Sequence, residues 1–301
     1  MSEATTTAPG TPRRVVDAPL APPSATQGLL EVFRRRYLLR LLVRREIQAR
    51  YSGSILGLLW SYINPMSQFF LFWFIFGYVM MRGQGIEVFA IHIFSGLSVV
   101  HFFTETFSSG TNSIVRNRSL VQKMAMPKEM FPVAAMLVSF YHVLPQMAIM
   151  IVACLCFGWV PDPGGLLAVV LALSICMVLG TALALFFSTA NVFWRDFGSA
   201  INLMLHYVRF GVPMVYPYTM IADKLGQWAE IYLLNPISVA VLLFQRAFWV
   251  GTTSNPAQTA AHHLPDHLFL RGFIMLAVAL VVLLIAQRTF QKLENKIPER
   301  L

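Results

Sequence analysis

The sequence predicts an all-α integral membrane protein with six transmembrane helices, an N-terminal amphipathic interface helix, and re-entrant helices that dip in from the outer face between helices 5 and 6. Three observations predict it. Of 301 residues, 56% are hydrophobic and only 12% are charged, and the mean hydropathy is +0.62. A soluble domain carries roughly 25% charged residues, so about half of the usual surface charge is missing. Six apolar stretches are each long enough for a hydrocarbon core of about 30 Å, which takes ~20 helical residues. Finally, 23 Lys and Arg stand against 14 Asp and Glu. In a membrane protein that excess encodes orientation before it suggests nucleic acid, and no nucleic-acid partner is expected.

Residues 1–27 are rich in Pro, Ala, Thr and Ser, and the Arg13-Arg14 pair has no apolar region behind it. This is no secretory signal, and with almost nothing to bury it reads as a disordered tail. Residues 28–50 are helix-forming and very basic. Arg36, Arg40 and Arg44 form a stripe within the apolar side of that helix. Long Arg stems lie on apolar surface with the guanidinium at phosphate level, so an interface helix against the lipids of the cytoplasmic leaflet is expected.

Residues 51–301 then form the transmembrane domain. Its spans are Gly57 to Met81, Ile86 to Ser108, Phe131 to Phe157, Gly164 to Thr189, Ala200 to Tyr216, and Leu268 to Gln287. Pro145 and Pro213 fall inside spans and should kink them. Cys154, Cys156 and Cys176 all fall in apolar runs and read as packing residues.

A seventh apolar stretch, 228–249, is settled by the cations. With the N-terminus inside and six spans, eighteen of the 23 Lys and Arg are cytoplasmic. Arg82, Lys224, Arg246 and Arg271 are outside, and Arg209 lies within a span. A seventh crossing would carry Arg288, Lys292, Lys296 and Arg300 to the outer side, against the positive-inside rule. Pro236 also disfavours a helical residue before it. The stretch therefore reads as a helix, a break at Asn235-Pro236 and a second short helix, dipping in from the outer face and returning. Both termini are cytoplasmic in this topology.

The loop 112–130 mixes Arg116, Arg118, Lys123, Lys128 and Glu129 with Leu120, Val121, Met124 and Met126. It reads as a short amphipathic helix, roughly Ser119 to Met126, offering Leu120, Val121 and Met124 to a groove in a cytoplasmic partner. Aromatic side chains recur along one face of the first span, at Tyr62, Phe69, Trp73 and Phe76, and along the fifth, at Tyr207, Phe210 and Tyr218. Beside ordinary lipid contact and packing, such faces suit a channel that stacks sugar C–H edges without trapping charge. Glu105 and Arg209 are intramembrane charges whose assigned depths differ by up to a turn or more, and a structural pair between them or interfacial snorkelling is expected over a proton relay.

The outer run His262, His263, Asp266, His267 lacks an obvious closed ligand set, so no metal is expected. No phosphate-binding loop, H-E-x-x-H or G-x-S-x-G motif occurs, so no catalytic residue is assigned. Outside the spans, no stretch exceeds about sixty residues, too short for a nucleotide-hydrolysing domain.

Four segments together resemble the membrane (permease) subunits of ABC exporters for lipid-linked polysaccharides, the O-antigen, capsule and teichoic acid branch. They are Tyr51-Ser-Gly-Ser-Ile-Leu-Gly-Leu-Leu-Trp60 with Asn64-Pro65, Ser119-Leu-Val-Gln-Lys-Met-Ala-Met-Pro127-Lys-Glu, Asn191-Val-Phe-Trp-Arg195-Asp196, and Asn235-Pro236 followed by Phe244-Gln-Arg246. The resemblance runs from about Leu29 to the C-terminus. It implies a homodimer with two copies of a separate ATPase that carries the ATP and Mg, and no cofactor on this chain. Leu120, Val121, Lys123, Met124, Lys128 and Glu129 then belong to the ATPase-coupling element, and Asn235, Pro236 and Arg246 to the outer gate. The implied protein is a multi-pass permease of the cytoplasmic (inner) membrane and no enzyme, and a galactan is the first cargo to test. The Pro/Ala/Thr-rich tail is the departure, and the resemblance implies no role for it. Two rivals stay open: a permease for drugs or small lipids in the same superfamily, and an integral-membrane enzyme acting on polyprenyl-linked sugars.

Overall fold

The computed structural model describes residues 28–75, 86–124 and 126–301. Among them every regular element is helical. The basic N-terminal helix is in two pieces, α1 (Leu29–Arg34) and α2 (Arg36–Tyr51). They part at Arg35, whose backbone leaves helical geometry while its side chain folds back onto Glu31 at 2.6 Å. α3 (Trp60–Phe72) continues to residue 75, beyond which the first span lies outside the described residues until 86.

Four longer helices follow, with one short helix after the first of them: α4 (Phe89–Arg116), the short α5 (Arg118–Lys123), α6 (Met130–Cys156), α7 (Pro163–Phe193) and α8 (Asp196–Phe210). α6 and α7 are long and apolar enough to cross a membrane, as is the last long helix, which ends the domain. α4 matches them in length but is diluted by Ser and Thr. Several of those hydroxyls bond back onto the helix: Ser98 donates to the Phe94 carbonyl, Ser113 to Gly110, and Thr104 to His101. Gly110 of α4 lies against Ala184 of α7, where an added Cβ would stand 2.5 Å from the alanine methyl. In lipid, helix association depends on such close approach between small residues. α6 runs through Pro145 without ending.

The fifth span departs from expectation. α8 stops at Phe210 where a helix to Tyr216 is predicted, because Pro213 cannot supply an amide and Gly211 turns the chain. Pro213 thus breaks the helix where a kink was expected. Its carbonyl is satisfied from elsewhere, by the Gln245 side chain at 2.8 Å. Beyond lie α9 (Tyr218–Leu225), α10 (Ala229–Tyr232) and α11 (Pro236–Ala247), then α12 (Pro256–His263), α13 (Leu268–Leu293) and α14 (Ile297–Arg300).

The expected break at 235–236 is present. Asn235 is extended, its side chain accepts the Ile237 amide at 3.0 Å, and Pro236 takes the first helical position. At 12 residues α11 spans about 18 Å, too short to cross. It is nonetheless deeply enclosed: Val239, Ala240, Val241, Leu242, Leu243 and Phe244 are fully buried, with α4, α7 and α13 around them. Cys154 and Cys176 are buried as packing residues, whereas Cys156 is exposed.

Two clusters of buried side chains result. One surrounds α11 and includes Phe94, Val99, Ile175, Trp249 and Met275. The other lies at the end of the bundle that carries α2 and α5, here called basal, and includes Val32, Leu39, Leu42, Val121, Met130, Phe131, Phe290 and Ile297.

Candidate functional site

The basal end is assembled by α2. Its Leu39 and Leu42 are buried, while Arg36, Arg40 and Arg44 are exposed on the opposite side beside Tyr37 and Leu41. That is the arrangement a helix needs to rest on lipid headgroups. Glu46 fastens α2 to the end of α4, accepting from Arg116 and from Asn117, both at 2.9 Å. Arg45 reaches the Asn117 side-chain oxygen at 3.2 Å.

Directly after this corner comes α5. It is shorter than the predicted Ser119–Met126 helix: Met124 is already extended, and Met126 precedes Pro127, which disfavours helix there. Val121 is buried at 5% exposure and Leu120 is half-buried, so these two anchor α5 rather than presenting it. Arg118, Gln122, Lys123 and Met124 face outward.

Lys128 and Glu129, expected in the same outward-facing set, are instead turned inward. Lys128 Nζ donates to the Glu294 carbonyl at 2.8 Å and stands 3.9 Å from its carboxylate, while Glu129 accepts from Gln287 at 3.0 Å. Burial lowers the Lys128 ammonium below its ordinary range and raises the Glu294 carboxyl above its own. These bonds hold both side chains inward against the cost of burial, at a corner where Met126, Met130 and Ile297 are also buried.

Glu105 is also partnered differently from expectation. It is held by Arg50, at the end of α2, and by His142 of α6 at 2.8 Å, not by Arg209. Register is the cause. Ser108 of α4 donates to Asn202 of α8 at 3.1 Å. Counting outward from that contact at 1.5 Å per residue, Arg209 overshoots Glu105 by about 6 Å. Arg50, Glu105, His142, Asn64, Gln68 and Gln146 line a polar cavity of about 240 Å³ between α2, α3, α4 and α6. Neither Arg50 nor His142 is singled out by sequence; only the placement of α2 brings them there.

The aromatic stripes occupy separate depressions. Tyr62, Phe69 and Trp73 line an apolar groove of about 500 Å³ shared with Val152, Cys156 and Phe157 of α6, and Phe69 packs on Phe94 at 5.2 Å between ring centres. Phe76 lies outside the described residues. Tyr207 and Phe210 are exposed on α8 beside Asn202 and His206, while Tyr218 opens α9 half-buried.

At the opposite end, Arg246 of α11 contacts Asp162, before α7, at 3.3 Å, and the indole of Trp159 donates to the Ala247 carbonyl at 3.0 Å. Arg271 of α13 grips Glu230 of α10 through two bonds at 2.7 and 3.0 Å. Asp162, Glu230 and Arg271 carry no motif signal; their pairing is visible only in three dimensions.

With this geometry in hand, comparison with known proteins is informative. The profile of a family described as ABC-2 type transporter matches residues 37–249. The chain is 28% identical over 269 residues to the O-antigen export system permease protein RfbA of Myxococcus xanthus, covering 89% of this chain and 97% of that protein. Two proteins of the same name from Klebsiella pneumoniae are 25% and 24% identical over 262 residues, covering 87% of this chain and 94% of each.

Proposed function

The chain belongs to the ABC-2 type transporter family, and from that premise we propose that it is the membrane permease subunit of an ATP-driven exporter that moves a lipid-linked polysaccharide outward across the cytoplasmic membrane. The observation that carries the cargo is the end-to-end similarity to O-antigen export permeases, which leaves almost none of the M. xanthus relative unmatched. Two copies of the chain flank the path and two separate ATPase subunits bind the basal end, which is cytoplasmic. Six spans cross the membrane. The exposed α2 arginines rest on the inner headgroups, and α10 and α11 form the re-entrant outer gate around Asn235, Pro236 and Arg246. The aromatic residues of α3 and α8, with Phe76 and Tyr218, line the path, offering ring faces that let a sugar polymer slide.

ATP supplies what the chain lacks, a ligand whose affinity differs between two conformations. Nucleotide on the partner draws the ATPases together, and α5 receives that movement through its outward residues. Depleting the protein in its native organism tests this. Surface glycan should fall while its lipid-linked precursor accumulates on the inner leaflet. Loss of the precursor itself would point to an enzyme of glycan assembly instead.

A further inference from the structure

The basal ends of α6 and α13 cap each other. Helix ends leave carbonyls and amides without intrahelical partners, and the aligned peptide dipoles favour a cation at the C-terminal end and a carboxylate at the N-terminal end. Lys128, two residues before α6, places its ammonium on the Glu294 carbonyl, where α13 gives way to a 3-10 turn and the Ile297 amide bonds the same oxygen, so that the ammonium takes its second lone pair. Glu294 in turn accepts the Lys128 backbone amide at 3.4 Å, setting a carboxylate over the start of α6. Glu129 adds a third bond, to Gln287 about two turns back along α13. Lys128 is 7% exposed and Glu294 1%, so water and salt reach them poorly.

We infer that Lys128, Glu129, Gln287 and Glu294 form a clamp that makes the basal ends of α6 and α13 move as one piece, so that displacement of α5 reaches the last span directly. α5 joins α6 through the six residues 124–129, which include Lys128 and Glu129, and α13 packs along α7 and against α11. A push on α5 is thereby delivered to the helices that enclose the buried gate segment. The four residues are positioning residues, since their side chains face the protein interior rather than an approaching partner. The inference rests on reading 112–130 as the ATPase-coupling loop.

The test uses the complete permease–ATPase complex. Lys128→Met should leave ATPase co-purification and ATP hydrolysis within about 2-fold of wild type while export falls about 5-fold, within the range by which coupling residues act. Export is read as the fraction of cell polysaccharide that added periodate reaches in intact cells. Lys128→Arg, which keeps a cation at the carbonyl, should recover most of the export. The double exchange Lys128→Glu with Glu294→Lys should not, because it restores an ion pair but sets each charge against the wrong helix end. Gln287→Met gives an independent arm should Lys128→Met fold poorly, with a smaller loss of export at unchanged hydrolysis.

Full rescue by the charge exchange would overturn reciprocal capping. Unchanged export in Lys128→Met, or losses that merely follow thermal stability in every variant, would overturn the clamp. Loss of ATPase binding in Lys128→Met would show a partner contact in its place. Failure of the coupling-loop reading is seen separately, as normal ATPase binding when the outward residues of α5 are changed.

Discussion

Val239 through Phe244 lie fully buried among Phe94, Ile175 and Met275, packed by shape. At the basal end, buried Val32, Leu39, Met130 and Ile297 are interleaved with polar ties: Glu46 to Arg116 and Asn117, Lys128 to Glu294, and Glu129 to Gln287. The difference follows from the solvent. Among lipid chains there is no hydrophobic drive between helices, so association rests on close contact and small residues such as Gly272, where an added Cβ would stand 2.5 Å from Leu171. Near water, apolar burial stabilises again and charged groups can be solvated while they find partners. The middle should therefore be sensitive to volume, and the basal end to charge.

The largest effect is expected in the middle. Phe244→Ala removes a fully buried ring and should cost about 3–5 kcal/mol, read as a fall in thermal midpoint in detergent. A loss no greater than that of an exposed aromatic such as Tyr207→Ala would break the contrast. Glu105→Ala comes next, because it strands His142 and half-exposed Arg50 beside the polar cavity. About 1–3 kcal/mol is expected, with Glu105→Gln milder because it can still accept from Arg50. Equal losses for both substitutions would mean that packing, not charge, holds this site.

Hydrophobic length and residue spacing are one-dimensional properties, and the local elements that depend on them were legible. The apolar helices, the amphipathic α2 and the break at Asn235-Pro236 all follow from residue type and spacing. Orientation was not legible. Lys128 looks like any loop cation in sequence, and the group that claims it lies 166 residues away. Glu105 shows the same limit: its residue type announces a partner, but the register of α4 on α8 and the rise of α2 decide which one. The early end of α8 is intermediate. Gly211 and Pro213 are visible signals, yet whether a transmembrane proline kinks or ends a helix depends on the partners the surrounding structure offers the backbone, and here the Gln245 side chain takes the Pro213 carbonyl.

A smaller effect sharpens the picture at the opposite end. Asn235→Ala deletes the cap on the Ile237 amide and should cost about 1 kcal/mol, whereas Asn235→Ser should be close to neutral. Because α11 is enclosed by α4, α7 and α13, the same variant should also raise labelling of a cysteine placed at Trp249 by an impermeant reagent added from outside.

The smallest effect on stability carries the sharpest functional expectation. Lys123→Glu combined with Met124→Asp changes two exposed residues of α5 and touches neither Val121 nor the clamp, so stability should stay within about 0.5 kcal/mol. Co-purification of the ATPase should nevertheless fall, since the pair removes the adaptable side chain and reverses the charge at the docking surface. Raising ionic strength should weaken the wild-type complex in the same direction if Lys123 acts through charge, and leave it unchanged if Met124 dominates. A variant that lost stability but kept its ATPase would reverse the assignment, making the outward face of α5 part of the fold and sending the search for the docking surface to Trp194, also exposed at this end.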